Sequence, residues 1–180
     1  MKLRKGSQDA TGLTFGIVAS KFNKFVTSRL LAECVKALTK AGVTDEAIEV
    51  VRVPGAFEIP LVARQLARSG RFDAVICLGA VIRGDTPHFE YISTEVSRGI
   101  LQASMDSNIP VIFGVLTTDT VAQAIERADP DKLNRGADAA KTAIEMVNVM
   151  RLLKKEGSGE APQPATSPRR AGRSAARPKR

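Results

Sequence analysis

Short apolar runs alternate with longer amphipathic segments along most of this chain. Four apolar runs predict buried β-strands, at residues 14–20, 48–53, 73–79 and 110–116. Each is followed by a segment whose apolar residues recur every three or four positions, the period of a helix. A helix that follows a strand carries the chain back to start the next strand in parallel. The pattern therefore predicts an α/β fold, a three-layer α/β/α sandwich around a four-stranded parallel sheet.

Five helices are predicted, over residues 23–42, 57–69, 88–107, 120–128 and 136–153. Asn23 is a good N-cap for the first helix, and Gly42 is suited to end it. Asp129 and Pro130 stop the fourth, because a proline disfavours the helical conformation of the residue before it. These elements predict a flavodoxin-like arrangement, in which ligands bind beyond the carboxyl ends of the strands.

The composition separates a globular body from a basic carboxyl-terminal segment. With 43% hydrophobic and 26% charged residues, the chain can form a core, which we expect in residues 13–153 after an amino-terminal arm of residues 1–12. Residues 154–180 are rich in Pro, Ala, Ser, Gly and Arg, which predicts a disordered tail. Nine Lys or Arg and two Glu from residue 151 onward account for +7 of the net charge of +8. The body is therefore close to neutral.

The basic tail has two interpretations. It can be a solubilising appendage, or it can contact RNA or another polyanion through its charge. A specific nucleic-acid-binding module is disfavoured, because the tail has no aromatic residue on which a base could stack. Nucleic acid is thus a candidate partner through the tail alone.

Two cysteines and one histidine limit the chemistry that the chain can carry. Cys34 and Cys77 lie in apolar periodic segments, which predicts reduced core residues. A lone histidine without a cysteine cluster predicts no metal site. The apolar run at residues 74–82 is short of the roughly 20 residues of a membrane span, and no apolar segment follows the basic amino end as in a secretory signal. We expect a cytoplasmic protein that does not contact a membrane.

Two predicted loops at the ligand edge of the sheet carry candidate binding residues. Phe22 follows the first strand, where its ring can stack on a flat heterocycle or pack onto its own helix. The second strand ends in VPGAFEIP, residues 53–60, a turn into a helix. Its backbone N–H groups and the Glu58 carboxylate can hold the hydroxyls of a polyol. The alternative is that Glu58 only complements the positive end of the helix.

The third loop, GAVIRGDTPHF at residues 79–89, is the most unusual stretch of the chain. It leads into a helix whose free N–H groups and positive dipole end suit a phosphate, although Asp85 and Thr86 can also act as plain N-caps. No Gly-Lys-Ser/Thr follows, which disfavours a nucleoside triphosphatase. His88 lies in the first turn, where the helix dipole favours a neutral imidazole that can accept and return a proton. A structural role is the alternative for His88.

The fourth strand and the segments after it add an aromatic residue and two cations. Phe113 lies in the strand, Arg127 closes the helix that follows, and Arg135 comes before the last helix. The guanidinium of Arg127 can donate several hydrogen bonds to a phosphate. It can equally be a cation placed in the last turn by the helix dipole.

Six segments resemble the lumazine synthase family in order and spacing, from about residue 12 to 150. They are Phe22-Asn23, VPGAFEIP, GAVIRGDTPHF, FGVLTTDT, AIERA and NRGADAAKTAIEM. VPGAFEIP and the VIRG-x-T-x-H core are the most specific. The resemblance implies the condensation of 5-amino-6-(D-ribitylamino)uracil with 3,4-dihydroxy-2-butanone 4-phosphate. The products would be 6,7-dimethyl-8-ribityllumazine, phosphate and water, in the penultimate step of riboflavin biosynthesis, and no cofactor or metal is implied.

The resemblance also implies a role for each matching residue. The residues for the ribitylaminouracil would be Phe22, Ala56, Phe57, Glu58, Ala80, Val81, Ile82 and Phe113. The residues for the butanone phosphate would be Asp85, Thr86, Arg127 and Arg135, and His88 would transfer protons. Because Phe113, Arg127 and Arg135 would reach into a neighbouring subunit's site, the minimum active unit would be a homopentamer. Icosahedral assemblies of pentamers occur in the family, and riboflavin synthase is a candidate partner.

The chain departs from the family pattern at two places. The family usually has Gly-Thr-Lys after AIERA and a lysine at position 135, whereas this chain has Asp129, Pro130 and Asp131 in the turn and Arg135. Arginine keeps the charge of lysine but changes its geometry. The altered turn leaves pentamer and shell as alternatives. A non-catalytic lumazine- or flavin-binding shell protein is the alternative function, which an absorbance assay for the lumazine product would distinguish.

Overall fold

The computed structural model describes residues 1–157, which form four strands and five α-helices. In chain order they are β1 Phe15–Ser20, α1 Lys24–Lys40, β2 Ile48–Val53, α2 Ile59–Arg68, β3 Ala74–Ile82, α3 His88–Ser107, β4 Val111–Thr118, α4 Val121–Ala128 and α5 Arg135–Gly157. A short 3-10 turn, Asp45–Ala47, precedes β2. Every predicted strand and helix is present.

The four strands form one parallel sheet in the order β2-β1-β3-β4. In the register of the two pairings that β1 makes, Val18 of β1 lies between Val51 of β2 and Cys77 of β3. The chain moves from β1 to one side of the sheet and then returns to the other side of β1. This reversal opens a crevice at the carboxyl ends of β1 and β3, where ligands of such sheets bind.

Successive residues of each strand contribute to two separate cores, because side chains alternate between the two faces of a strand. Ile17 and Ile76 belong to the core under α1, α4 and α5. Val18 and Cys77 belong to the core under α2 and α3. The predicted three-layer α/β/α sandwich is therefore confirmed.

Several element boundaries differ from the sequence prediction. β3 extends to Ile82 rather than residue 79, and β4 to Thr118 rather than residue 116, because the two strands stay paired up to Ile82 opposite Thr118. α2 begins at Ile59 rather than Phe57, since residues 54–58 form a turn. α5 continues to Gly157, past the predicted end at residue 153. The prediction of a disordered tail otherwise falls on residues 158–180, outside the described residues.

The amino-terminal arm packs along α5. The side-chain amide of Asn148 donates to the carbonyl oxygens of Ser7 (3.1 Å) and Asp9 (2.9 Å). A Cβ at Gly6 would lie 2.2 Å from the carbonyl oxygen of Glu145, so only glycine allows this approach. The arm is thereby fixed to the outer helix by backbone contacts.

Both cysteines are free thiols inside the core, as the sequence predicts. Burial raises the pKa of the Cys34 thiol to about 12 and also raises that of Cys77. Neither thiol is a reactive thiolate near neutral pH. Within residues 1–157, no helix combines the length and the apolar character needed to cross a membrane.

Gly136 of α5 packs directly against the backbone of α1, and a Cβ there would lie 2.4 Å from the carbonyl oxygen of Leu30. We expect Gly136→Ala to lower the free energy of unfolding by about 1–3 kcal/mol, because the helices must separate to admit a methyl group. Urea denaturation measures the difference. Gly84→Ala is the matched control, since a Cβ at Gly84 meets nothing within 4 Å. An equal loss in both variants would contradict the packing argument.

Cys34 should also make stability sensitive to alkaline pH. Its thiol ionises near pH 9.0 when exposed and near 12 when buried, so unfolding releases a proton between these values. Stability should therefore fall as pH rises through this window, by up to about 1.4 kcal/mol per pH unit from this group. We expect Cys34→Ala to show a shallower fall in free energy of unfolding above pH 9, measured by urea denaturation, and no difference in slope between pH 6 and 8. If the free energy of unfolding fell equally steeply above pH 9 in Cys34→Ala and in the unmodified protein, this prediction would be wrong.

Candidate active site

The loops after β1 and β2 are held side by side at the carboxyl edge of the sheet. Backbone hydrogen bonds continue past the ends of these strands, from Lys21 N to Val53 O (2.7 Å) and from Phe22 N to Pro54 O (3.0 Å). The Phe22 loop and the turn at residues 54–58 are thus fixed against each other. Together they form one wall of the crevice at the β1 and β3 ends.

A cavity of about 710 Å³ occupies this crevice. It is lined by three groups of residues that the sequence singled out: Phe22 after β1, residues 56–58 after β2, and residues 80–82 with Thr86 and His88 at the end of β3. Its volume lies in the range of small-molecule sites. The structure therefore brings the residues of three separate loops into one site, which we call the main cavity.

Two aromatic residues, Phe22 and Phe57, line the main cavity and are largely exposed. The Phe22 side chain is 70% exposed and Phe57 is 58% exposed. A ring this exposed has little contact with its own helix, which favours stacking over the packing alternative for Phe22. Both rings offer a free face on which a flat heterocycle can stack.

Glu58 closes the turn after β2. Its Oε2 atom accepts a hydrogen bond from the backbone N–H of Gly55 at 2.8 Å, and the residue directly precedes α2. The side chain is exposed beside the main cavity. This contact fixes the position of the carboxylate while its other oxygen is open to a ligand hydroxyl.

Asn23 has a different role from the predicted helix cap. Its backbone takes a left-handed conformation with φ 55°, and its side chain makes no capping hydrogen bond. The side-chain amide instead donates to the carbonyl oxygen of Ala80 at 2.9 Å. Asn23 therefore links the loop after β1 to the end of β3, and it lines the main cavity.

His88 is the first residue of α3, as predicted, and its exposed side chain lines the main cavity. Thr86 also lines the main cavity, whereas Asp85 lies in the same turn outside the lining. No side chain caps α3, so Asp85 and Thr86 are not N-caps. The N–H of Glu90 already donates to the carbonyl oxygen of Pro87 (3.1 Å), so the N–H groups of His88 and Phe89 are the ones that an anion at the start of α3 can use.

Phe89 lines the main cavity and Arg83 packs against it, and the sequence analysis singled out neither residue. Arg83 donates from Nε to Asp119 Oδ1 at 2.7 Å and from Nη1 to Glu90. Its guanidinium lies over the Phe89 ring, 4.3 Å from the centroid, and Phe89 lines the main cavity. The hydrogen bond from Arg83 lowers the pKa of the Glu90 carboxyl. In the sequence, the position of Phe89 directly after His88 is the one indication of this group of contacts.

The remaining predicted residues lie apart from the main cavity. Phe113, Arg127 and Arg135 line a second cavity of about 540 Å³, between β4, the end of α4 and the start of α5. Arg127 donates to the carbonyl oxygen of Gln123 at 3.1 Å, and Arg135 pairs with Asp138 at 3.2 Å. Within one chain, the predicted site is therefore divided between two surfaces.

Titratable residues do not cluster as metal ligands in the described part of the chain. No group of three or more His, Cys, Asp or Glu side chains among residues 1–157 is arranged to hold a metal ion. The main cavity offers instead an imidazole, a carboxylate, a hydroxyl and aromatic faces. These groups can bind a polar heterocycle and transfer protons.

Comparison with known proteins identifies the family. The family model described as 6,7-dimethyl-8-ribityllumazine synthase matches residues 12–151. A relative from Syntrophus aciditrophicus (strain SB), named 6,7-dimethyl-8-ribityllumazine synthase, is 60% identical over 149 residues, which are 83% of this chain and 97% of the relative. The stretch that the family model matches includes the whole sheet and the residues of both cavities. The chain therefore belongs to the 6,7-dimethyl-8-ribityllumazine synthase family.

Proposed function

We propose that the protein condenses 5-amino-6-(D-ribitylamino)uracil with 3,4-dihydroxy-2-butanone 4-phosphate to give 6,7-dimethyl-8-ribityllumazine, phosphate and water. The observation that carries this proposal is the main cavity. It collects residues from three loops in the one crevice where the sheet order reverses. Family membership supports the same reaction, since the matched relative carries the name of this synthase.

The ribitylaminouracil is proposed to occupy the part of the main cavity between the aromatic rings and β3. Its pyrimidine would stack on Phe22, and the backbone at residues 80–82 would hydrogen-bond the uracil edge. Its ribityl chain would lie along residues 56–58, where Glu58 is held by the Gly55 N–H. Exposed aromatic faces beside fixed polar groups support this arrangement.

The butanone phosphate is proposed to bind at the start of α3. Thr86, the first N–H groups of the helix and the positive end of its dipole suit a dianion, and Asp85 lies in the same turn. A phosphate there would place the ketone near His88, which begins the helix. The substrate amine would attack that ketone to form an imine, phosphate would leave, and the second nitrogen would close the ring.

The chain's residues would mainly align the two substrates and move protons. Alignment can lower the barrier by about 7–11 kcal/mol, whereas one general base typically contributes about 10²–10⁴-fold. His88 is the proposed proton-transfer group, because it is the imidazole that lines the main cavity. The larger share of the rate enhancement would come from the cavity's shape.

The second cavity is proposed to complete the main cavity of a neighbouring protomer. Phe113 is 46% exposed at the second cavity, and Arg127 and Arg135 lie beside it. These residues line a different surface from His88 in their own chain, so a shared site requires a second copy. A ring closed by this heterologous contact fits the proposed homopentamer, from which an icosahedral shell can be built.

The proposed location is the cytoplasm. Cys34 and Cys77 are both free thiols, and cysteines stay reduced in that compartment. Riboflavin synthase is the proposed protein partner, because the lumazine would be consumed in the step that follows.

His88→Ala should slow turnover, by no more than about 10²–10⁴-fold, without abolishing it, because alignment of the substrates stays intact. The measurement is the rate at which the absorbance of the lumazine product appears under saturating substrates. A rate equal to that of the unmodified protein would remove His88 from the mechanism.

Complementation tests whether the site is shared between protomers. His88→Ala and Arg127→Ala should each have low activity alone. When the two variants are expressed together, about a quarter of the sites in randomly mixed rings should combine an intact His88 with an intact Arg127 from the next protomer. The activity of the mixed assembly should therefore exceed that of either variant. No gain on mixing would place both residues of each site in one chain.

A further inference from the structure

Arg83 joins three elements around the loop that leads to His88. Its backbone N–H donates to the carbonyl oxygen of Thr118 at 2.9 Å, which extends the pairing of β3 with β4 by one residue. Its side chain contacts Asp119 beyond β4 and Glu90 in the first turn of α3. One residue thus connects the end of β3, the end of β4 and the start of α3.

The same side chain also supports a wall of the main cavity. The Arg83 guanidinium lies over the Phe89 ring at 4.3 Å, in the geometry of a cation–π contact. Phe89 lines the main cavity one residue after His88. Displacing Arg83 would free this ring to turn.

Residues 84–87 have few other restraints. Gly84 has open space on the side where a Cβ would lie, and no side chain caps the helix that the segment enters. The segment runs between Arg83 and His88, with Glu90 just beyond. The contact between Arg83 and Glu90 therefore ties together the two sides of this loop.

We propose that Arg83 is a positioning residue that holds the 84–87 loop and the first turn of α3 in the shape that binds the butanone phosphate. This inference rests on the proposed binding of phosphate at Thr86 and the α3 amino end. Arg83 would act through the loop, because its donors point to Asp119 and Glu90 and do not line the main cavity. Small displacements of aligned groups reduce rates strongly.

The contacts of Arg83 require an arginine. Its planar fork reaches two carboxylates from different elements while its flat face covers Phe89. A lysine ammonium is a single point of charge and has no flat face. Arg83→Lys should therefore restore part of the function that Arg83→Gln loses.

Arg71 provides a matched control at the amino-terminal end of β3, away from the main cavity. Its guanidinium lies over Phe72 at 4.6 Å and pairs with Glu49, so it makes the same kinds of contact. Both arginines are exposed, and exposed ion pairs contribute little to folding stability. Arg71→Gln and Arg83→Gln should have similar melting temperatures.

The experiment measures the KM for each substrate, kcat and the melting temperature of the full-length protein and its variants. Arg83→Gln should raise the KM for the butanone phosphate by at least about tenfold, because the loop no longer presents its donors correctly. The KM for the ribitylaminouracil and the melting temperature should match those of Arg71→Gln. Arg83→Lys should fall between Arg83→Gln and the unmodified protein.

Asp119→Asn provides a second test of the same contact. It should raise the KM for the butanone phosphate less than Arg83→Gln does, since Glu90 still holds the arginine. The double variant should be no worse than Arg83→Gln, because both changes remove one interaction. Fully additive effects would show that the two residues act separately and would overturn the proposal.

Thr86→Ala separates this proposal from the proposed function. If Thr86→Ala raises the KM for the butanone phosphate while Arg83→Gln behaves like Arg71→Gln, the phosphate site stands and the role of Arg83 is refuted. If neither variant changes that KM while lumazine is still formed, phosphate binding at this loop and the role of Arg83 both fail. If Arg83→Gln raises both KM values and lowers the melting temperature below that of Arg71→Gln, its role is structural and the proposal is wrong.

Discussion

The parallel direction of all four strands determines where the chemistry of this protein can lie. Parallel strands place every carboxyl end at the same edge of the sheet. Three segments far apart in sequence, around Phe22, Glu58 and His88, therefore meet in one cavity. Side chains alternate along each strand and form a core on both faces of the sheet. The loops at the carboxyl edge contribute little to these cores and can carry binding residues. Fold and site thus follow from one constraint.

The distribution of cations supports the proposal that two protomers share each site. The main cavity is lined by aromatic and polar groups, whereas Arg127 and Arg135 lie at the second cavity together with Phe113. Among residues 1–157, no lysine or arginine lines the main cavity, so a phosphorylated substrate bound there would rely on the amino end of α3 within its own protomer. A guanidinium fork from a neighbour would supply the missing charge. Catalysis would then require the assembly of protomers.

The sequence predicted the sheet, the five helices and the grouping of three loops, because hydrophobic periodicity and the parallel connection rule depend only on local pattern. It did not predict the ends of β3 and β4, since those ends are set by pairing between strands rather than by composition. Asn23 was misread as a cap because its side chain reaches Ala80, 57 residues away. Arg83 gave no signal for the same reason, as its acceptor Asp119 lies 36 residues away. Interactions of this range are absent from any local pattern.

The last helix has a further consequence. α5 begins with Arg135 at the second cavity, and its residue Arg151 pairs with Asp73, next to the amino-terminal end of β3. Its 23 residues span about 35 Å at the usual rise of about 1.5 Å per residue. The helix is thus a rigid spacer across the height of the sheet. A label attached at the exposed Leu153, near the end of α5, would therefore lie toward the edge of the sheet opposite the main cavity.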